Sequence, residues 1–291
     1  MERSELLRRI NAFPIAAQSL AEDLFAGDFR SVFRGNGIEF EEVRHYEQGD
    51  DIRFIDRNVS ARFGKPYVKL YREERELSVF VVLDCSASMF SGCKGAISRF
   101  EQALLAAALT GFSAERAGQR FGALFFDSEI RRLFKPGKGR SRLMAVVSAA
   151  LEARPLGRGS ALSLAIRGAG SALKRRGLVV IISDFRCPAW DDGLGAVAGR
   201  HDFIAVRISD PLDYEFPGLG LLTVEDPETG MTIQAPTGFS SFRRAFRKWN
   251  EEQAAAWRDS CRRLGIARLE LSTADDAHAA LKAFFQGRKK R

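Results

Sequence analysis

The sequence predicts an α/β fold, a doubly wound and mostly parallel sheet with one antiparallel edge strand, preceded by an N-terminal extension of helical and β structure. From residue 77 onward, apolar runs of strand length alternate with amphipathic helical segments. These runs are continuously apolar, which is typical of strands buried on both faces of a sheet. A very short turn joins residues 121–126 to residues 130–134, and a turn of that length forces the two strands to run antiparallel.

The N-terminal extension differs in pattern from the rest of the chain. In residues 1–27, apolar side chains recur at helical spacing, and Pro14 is expected to separate two amphipathic helices. Residues 28–76 combine glycines, short apolar stretches and dense charge, which indicates loops and strands rather than an independent core. The expected division is therefore an extension at residues 1–76, a main domain at residues 77–287 and a basic tail at residues 288–291.

The main domain begins with a strand and then alternates helices with strands. The predicted strands are residues 77–83, 121–126, 130–134, 178–183, 203–208 and 267–271. The predicted helices are residues 97–117, 140–153, a segment that opens at 157–160, a short stretch near 191–199, and residues 240–263 and 274–285. Before the long helix, prolines and glycines indicate turns around short β pieces at 221–224 and 231–234.

The helix predicted at residues 240–263 is rich in arginine and carries a stripe of large side chains. We expect the stripe to face the core, and it consists of Phe242, Phe246, Trp249, Gln253 and Trp257. A basic helix also suits nucleic acid, which is the alternative interpretation. The aromatic residues do not interleave with the basic ones, however, and the net charge of +8 is spread along the chain, so we expect no nucleic acid partner.

Composition indicates a globular protein with a sizeable core. The chain has 291 residues, of which 45% are hydrophobic and 28% charged. Its four cysteines lack C-x-x-C spacing, which indicates reduced thiols rather than a zinc or redox site. No apolar run approaches the roughly 18 residues that a membrane helix needs, and the first residues lack a signal-peptide core, so we expect a soluble cytoplasmic protein.

Oxygen-bearing side chains occupy places where ligands collect at the carboxyl edge of a parallel sheet. They are Asp84, Ser86 and Ser88 after the first strand, Ser160 at a helix start and Asp184 after the strand at 178–183. Two carboxylates and three hydroxyls make an all-oxygen set that suits a hard cation such as Mg²⁺, for which Mn²⁺ or Ca²⁺ can substitute. Two carboxylates only just balance the charge of a divalent ion. A coordination position left open for a carboxylate from another molecule would therefore be favourable.

A purely structural role is the alternative for these residues. Asp and Ser often cap the helix that follows a strand, and the segment 84–88 alone does not separate capping from metal binding. Asp184 after a second apolar run and Ser160 at a helix start favour the metal site, because both belong to the same expected sheet edge.

Two stretches resemble known protein families. The segment Asp84-Cys85-Ser86-Ala87-Ser88 resembles the metal-ion-dependent adhesion site of von Willebrand factor A domains. Four segments upstream of Asp84 resemble the signature of the bacterial domain-of-unknown-function family 58. These segments are Gly37-Ile38-Glu39-Phe40-Glu41-Glu42-Val43-Arg44-His45-Tyr46, Gly49-Asp50-Asp51-Ile52-Arg53, Ile55-Asp56-Arg57-Asn58 and Ser60-Ala61-Arg62. This resemblance spans about residues 30–190.

The resemblance implies a von Willebrand factor A-like domain that grips a protein partner through a metal ion. Members of the family often accompany MoxR-type AAA+ ATPases. The resemblance therefore implies an adaptor for such an ATPase in complex assembly, maturation or stress response, with an Asp or Glu of the ATPase or its client on the metal. The chain departs from the family at Arg57, where an aromatic residue is common, and at Ser160, where adhesion sites commonly have threonine.

A magnesium-dependent phosphoryl-transfer enzyme is the remaining alternative. Haloacid dehalogenase-like phosphatases use D-x-D, in which the second carboxylate acts as acid or base, and this chain has Ser86 at that position. Phosphate-loop and dinucleotide-binding motifs are incomplete at residues 137–139 and 35–37. We therefore expect neither catalytic nor cofactor-binding residues.

Overall fold

The structure, a computed structural model, describes residues 3–25, 39–48, 50–72, 77–91, 97–195 and 197–289. Its helices are α1 (Arg3–Phe25), α2 (Arg57–Phe63), α3 (Arg99–Arg116), α4 (Arg140–Leu151), α5 (Leu162–Ala172), α6 (Ser240–Arg263) and α7 (Ala277–Lys289). Its strands are β1 (Glu39–His45), β2 (Tyr67–Arg72), β3 (Ser78–Asp84), β4 (Arg120–Phe126), β5 (Ile130–Gly137), β6 (Leu178–Ser183), β7 (Asp202–Ser209), β8 (Leu221–Glu225), β9 (Thr232–Pro236) and β10 (Ala267–Ser272).

The chain divides into two compact units, one formed by Met1–Asp28 with Leu77–Arg291 and the other by Phe29–Glu76. The larger unit resumes at residue 77, the boundary that the sequence predicts. Helix α1, which the sequence pattern groups with the extension, packs instead against α3 and α7 of the larger unit. The reason is its apolar face, because Ile10, Leu20 and Leu24 are almost fully buried.

The smaller unit pairs β1 with β2 in an antiparallel hairpin. Helix α2 begins after Asp56, whose carboxylate accepts hydrogen bonds from two backbone N–H groups, and ends at Gly64 in a left-handed conformation. Arg44 forms a 2.7 Å ion pair with Asp50, so part of the charged signature acts locally within this unit. The signature residues Gly37, Ile38 and Gly49 lie outside the described residues.

Six strands of the larger unit form one sheet in the order β10-β7-β6-β3-β4-β5. Neighbouring strands are parallel, except that β5 runs antiparallel to β4 at one edge. This topology confirms the predicted α/β fold class, a mostly parallel sheet with one antiparallel edge strand. The central strand β3 is buried from Val79 to Asp84, as its continuous apolar run predicts.

Helix α3 covers one face of this sheet. It begins with a capping box, in which Ser98 and Glu101 satisfy each other's backbone N–H groups. Almost every residue of α3 is buried, because the helix lies among the sheet, α1, α4 and α7. Its many alanines allow this close packing on all sides.

Helices α5 and α6 cover the other face. Leu162 and Ile166 of α5 join Phe80 of β3 and Trp257 of α6 in one buried cluster. The predicted stripe of α6 is wrong in part, because Trp249 is 48% exposed and Gln253 is also exposed. The buried residues of α6 are Asn250, Ala254, Trp257 and Cys261. Phe242 and Phe246 pack instead against the ring of Phe216.

Some local predictions differ from the structure. Pro14 lies inside α1 and does not end it, since the burial of the helix offsets the hydrogen bond that proline removes. Where a short helix is expected near 191–199, the described residues 191–195 and 197–199 hold the end of a 3-10 turn, Trp190–Gly193, and further turns. Helix α7 continues through Lys289, so residues 288–289 of the expected tail are helical, and residues 290–291 lie outside the described ranges.

Strands β8 and β9 form a separate antiparallel hairpin. The cysteines in the described ranges, Cys85, Cys187 and Cys261, are free thiols, and Cys93 lies outside those ranges. None of the helices that the structure describes combines the length and the hydrophobicity needed to span a lipid bilayer.

Candidate metal centre

Two buried carboxylates lie at the carboxyl edge of the sheet, where β3 and β6 end. The two strands are parallel neighbours, with Leu83 opposite Ile182, so their ends lie at the same level. Asp84 is the last residue of β3 and is fully buried, and Asp184, directly after β6, is only 4% exposed. The parallel register therefore places both acidic residues at one edge.

Serine side chains from two separate segments surround Asp84. Its Oδ1 accepts a hydrogen bond of 2.8 Å from the backbone N–H of Ser86, and the hydroxyls of Ser86 and Ser88 are 3.2 Å apart. Its Oδ2 accepts a hydrogen bond of 3.3 Å from the Ser160 hydroxyl. The structure thus brings Asp84, Ser86, Ser88 and Ser160 into one group.

Asp184 is close enough to this group to act on it through charge. Burial raises the pKa of Asp84 to about 7, and the negative charge of Asp184 is the next cause, while hydrogen bonds from Ser183 and Ser86 act in the opposite direction. Oδ1 of Asp184 accepts a hydrogen bond from the Arg186 backbone N–H at 3.1 Å. Oδ2 of Asp184 is buried and has no hydrogen-bond partner among the residues that the structure describes.

The nearby arginines are engaged with another carboxylate. Nη2 of Arg99 donates to Oδ1 of Asp213 at 2.5 Å, and Nη2 of Arg186 donates to the same oxygen at 2.7 Å. Neither Asp84 nor Asp184 forms an ion pair with a basic residue in the part of the chain that the structure describes.

The donor set fits a hard cation better than a soft one. Over the described ranges, no group of three or more His, Cys, Asp and Glu residues is arranged to hold a metal, so an ion at this edge would need the serine hydroxyls as well. Carboxylate and hydroxyl oxygens are ligands that Mg²⁺, Mn²⁺ and Ca²⁺ accept. The partnerless Oδ2 of Asp184 is the position that a cation would satisfy.

Ser183 is a residue of this site that the sequence pattern did not reveal. Its hydroxyl donates to Oδ2 of Asp84 at 2.6 Å and accepts a hydrogen bond from the N–H of Phe185 at 3.0 Å. It therefore fixes the orientation of Asp84. The signal was available, because Ser183 ends the strand that precedes Asp184 and parallel register places that end beside Asp84.

Asp127, at the end of β4, holds the loop that carries Ser160. Its Oδ2 accepts hydrogen bonds from the backbone N–H groups of Leu156 and Gly157, both at 3.1 Å. Burial raises the pKa of Asp127, but hydrogen bonds from Arg131 and from backbone N–H groups of this loop outweigh burial and hold the pKa below its ordinary value. The loop is therefore fixed by an ionised carboxylate at neutral pH.

Glu228 is the other site residue that the sequence pattern did not reveal. It lies in the turn between β8 and β9, and its carboxylate accepts a hydrogen bond of 2.8 Å from the N–H of Ser88 and one of 2.7 Å from the N–H of Gly159. No local sequence pattern predicts this contact, because Glu228 is 140 residues from Ser88.

Comparison with known proteins identifies similar sequences. The family model described as "Protein of unknown function DUF58" matches residues 42–256. The uncharacterized protein Rv1480 of Mycobacterium tuberculosis is 32% identical over 230 residues, which cover 78% of this chain and 72% of that protein. The uncharacterized protein MAV169 of Mycobacterium avium is 35% identical over 137 residues, which cover 47% of this chain and 80% of that protein.

Solved structures also show some similarity. An aerotolerance-related membrane protein from Bacteroides fragilis aligns with a TM-score of 0.48 at 17% identity, covering 74% of this chain and 100% of that chain. The SpRpn10 VWA domain aligns with a TM-score of 0.41 at 12% identity, covering 71% of this chain and 93% of that chain.

Proposed function

The chain belongs to the DUF58 family of proteins of unknown function, and from this premise we propose that it is a non-enzymatic module that binds a protein partner through a divalent metal ion. The proposed ion is Mg²⁺, for which Mn²⁺ or Ca²⁺ can substitute. The proposed ligands, direct or through water, are Asp84, Ser86, Ser88, Ser160 and Asp184.

The observation that supports this proposal most strongly is the buried carboxylate pair, which forms no ion pair with any basic residue in the described ranges. Oδ2 of Asp184 has no partner among the described residues, and the pKa of Asp84 is raised by burial and by Asp184. Two buried negative charges without a cation are costly, since desolvation of each ion amounts to several kcal/mol. A bound divalent ion would supply positive charge directly to the two carboxylates.

The neutral serine hydroxyls explain why an outside carboxylate would join the site. Hydroxyls can ligate an ion without adding negative charge, so Asp84 and Asp184 alone balance a divalent cation. The ion therefore retains affinity for a further anionic oxygen. An Asp or Glu side chain on the partner supplies that oxygen in the proposed complex.

The proposed partner is a MoxR-type AAA+ ATPase or a client of one. This identity rests on what the sequence resemblance to family 58 implies, namely an association with such ATPases. The role would be that of an adaptor in complex assembly, maturation or stress response.

Calorimetry with Mg²⁺ tests the metal site directly. We expect the full chain, stripped with EDTA, to bind one equivalent of Mg²⁺, and Asp184→Asn to weaken that binding by at least about tenfold, as expected when a charged ligand is lost. Asp202→Asn is the matched control, because Asp202 begins β7 at the opposite end of the same sheet.

A pull-down with a purified MoxR-type ATPase tests the function. We expect capture by the wild type and by Asp202→Asn in Mg²⁺, and no capture in EDTA or by Asp184→Asn or Asp84→Ala. Equal capture in Mg²⁺ and in EDTA would contradict the metal-dependent mechanism. Turnover of a phosphate ester with Mg²⁺ would instead indicate an enzyme, and salt-dependent retardation of labelled DNA or RNA would indicate a nucleic acid-binding protein.

A further inference from the structure

The turn between β8 and β9 already places a carboxylate at the candidate metal centre. The two oxygens of Glu228 accept hydrogen bonds from two different loops, one from the N–H of Ser88 and one from the N–H of Gly159. The loops are the ones that carry the Ser88 and Ser160 hydroxyls. Glu228 therefore bridges two segments of the site as an acidic side chain from another protein could.

The two N–H groups are well suited to a carboxylate. Hydrogen bonds from backbone N–H groups to an ionised acceptor are shorter and stronger than neutral ones, and these two measure 2.8 and 2.7 Å. Gly159 has a φ of +89°, a conformation that glycine adopts readily. The loop conformation and the N–H that it directs at Glu228 thus depend on this glycine.

We propose that the N–H groups of Ser88 and Gly159 form a carboxylate-binding subsite, which Glu228 occupies in the free protein and which an Asp or Glu of the partner takes over by displacing the β8–β9 hairpin. This inference rests on the proposed metal-dependent function and specifies where the partner's acidic side chain binds. Glu228 is then an internal competitor of the partner.

The hairpin has the properties of a displaceable segment. Among the strands that the structure describes, β8 and β9 pair only with each other, and an isolated two-stranded hairpin is marginally stable in water. Most of its apolar side chains contribute little to the core, since Leu221, Met231 and Ile233 are each exposed by 59% or more, whereas Ala235 of β9 is buried. Few buried contacts would therefore be lost if the hairpin moved away.

The turn itself presents Glu228 in a fixed geometry. Asp226 accepts hydrogen bonds from the N–H of Glu228 and from the hydroxyl of Thr229, at 3.0 and 2.7 Å. Arg158 donates a hydrogen bond of 2.9 Å to the carbonyl oxygen of Thr229, which adds a second contact between the turn and the 157–160 loop. Because these hydrogen bonds fix the turn, the Glu228 carboxylate has a high effective concentration at the two N–H groups and competes effectively with carboxylates in solution.

Acetate is the probe for the subsite, because it is the simplest carboxylate. Acetate is titrated into the ¹⁵N-labelled full chain, with and without Mg²⁺ and with chloride at matched ionic strength, and the amide signals of Ser88 and Gly159 are followed by NMR. We expect Glu228→Gln and Glu228→Ala to bind acetate with an apparent Kd at least about tenfold lower than the wild type, because the competitor is removed. Hydrogen exchange at the two amides is expected to be faster in both variants without acetate.

Glu225→Gln is the matched control, since Glu225 is an exposed acidic residue of the same hairpin. It should behave as the wild type in every measurement. Equal acetate affinity in all four proteins, or unchanged Ser88 and Gly159 signals and exchange rates after loss of Glu228, would overturn the inference.

The same samples separate this inference from the proposed function. If Mg²⁺ binds to none of the proteins but loss of Glu228 still strengthens acetate binding and alters both amides, the metal-dependent function is wrong and the carboxylate subsite stands. If Mg²⁺ binds normally and loss of Glu228 changes neither acetate binding nor the amides, the subsite is wrong and the metal site stands.

Discussion

The pKa of Asp84 is raised because its strand ends at a buried edge of the sheet, beside the negative charge of Asp184. The sequence predicts an aspartate at the carboxyl edge, since Asp84 follows a continuous apolar run. The position of Asp184 follows from the same pattern in β6. The contribution of Ser183 was not predicted, although its place at the end of the strand before Asp184 puts it at the same edge of the sheet as Asp84.

The raised pKa of Asp84 predicts a stability that falls as pH rises. The folded pKa is about 7 and the ordinary value 3.8, so between these values the folded state retains a proton that the unfolded state has released. The contribution of the Asp84 carboxyl to the free energy of unfolding is fully present below pH 3.8 and is lost as the pH rises through about 7. We expect the free energy of urea unfolding in EDTA to decrease across this range, and to decrease less in Asp84→Asn.

The comparison between the two proteins isolates Asp84 from other titrating groups. Burial lowers the pKa of His201, and a lowered histidine pKa makes stability rise with pH, which is the opposite direction. If the free energy of unfolding changes with pH equally in the wild type and in Asp84→Asn, the Asp84 carboxyl titrates in the folded state as it does in the unfolded state.

At the scale of elements, local patterns predicted the strands and helices well where packing agrees with them. The runs of β3 and β6 are apolar on both faces, so their type and their ends were predictable. Pro14 was expected to break a helix, but burial of the apolar face of α1 keeps the helix continuous. The stripe of α6 was misjudged because Phe216, from a distant segment, receives Phe242 and Phe246.

The loop before α5 depends on Gly157, which gives a prediction at this scale. A Cβ at Gly157 would lie 1.9 Å from Oγ of Ser128, so either the Ser128 side chain or the loop that carries Ser160 must shift to accept a larger residue. We expect Gly157→Ala to lower the free energy of unfolding by about 1–3 kcal/mol, the usual cost of overpacking, and to weaken Mg²⁺ binding.

Two further variants distinguish the clash from a general effect of alanine. Gly195→Ala is the control, because no atom lies within 4 Å of the position that its Cβ would take, and the substitution should change neither quantity. Adding Ser128→Ala to Gly157→Ala removes the closest atom and should restore part of both losses. Unchanged unfolding and Mg²⁺ binding in Gly157→Ala would mean that the loop adjusts without affecting the site.

At the scale of the whole molecule, the sequence predicts which edge carries the site but not what covers it. Parallel strands bring their carboxyl ends together by topology, so Asp84 and Asp184 could be placed in one region from sequence alone. The β8–β9 turn reaches the same region only through the tertiary fold, because 140 residues separate Glu228 from Ser88.

The net charge of +8 favours approach of an acidic partner, which agrees with the proposed carboxylate ligand.

Metal binding by the folded chain alone should stabilise the whole larger unit. When the free concentration of an ion that binds only the native state is a hundred times its Kd, the ion adds about 2.7 kcal/mol to the free energy of unfolding. For a domain of this size, that increase raises Tm by about 5 °C or more. We expect this rise on addition of Mg²⁺ or Mn²⁺ to EDTA-treated protein at pH 8, and none with NaCl at the same ionic strength, measured by circular dichroism. Asp184→Asn, whose Mg²⁺ affinity is expected to be at least about tenfold lower, should show at most about half of this rise, whereas Asp202→Asn should match the wild type. A rise of equal size in Asp184→Asn would locate the stabilising ion elsewhere in the protein, because the partnerless Oδ2 of Asp184 is the acceptor that the ion is proposed to satisfy.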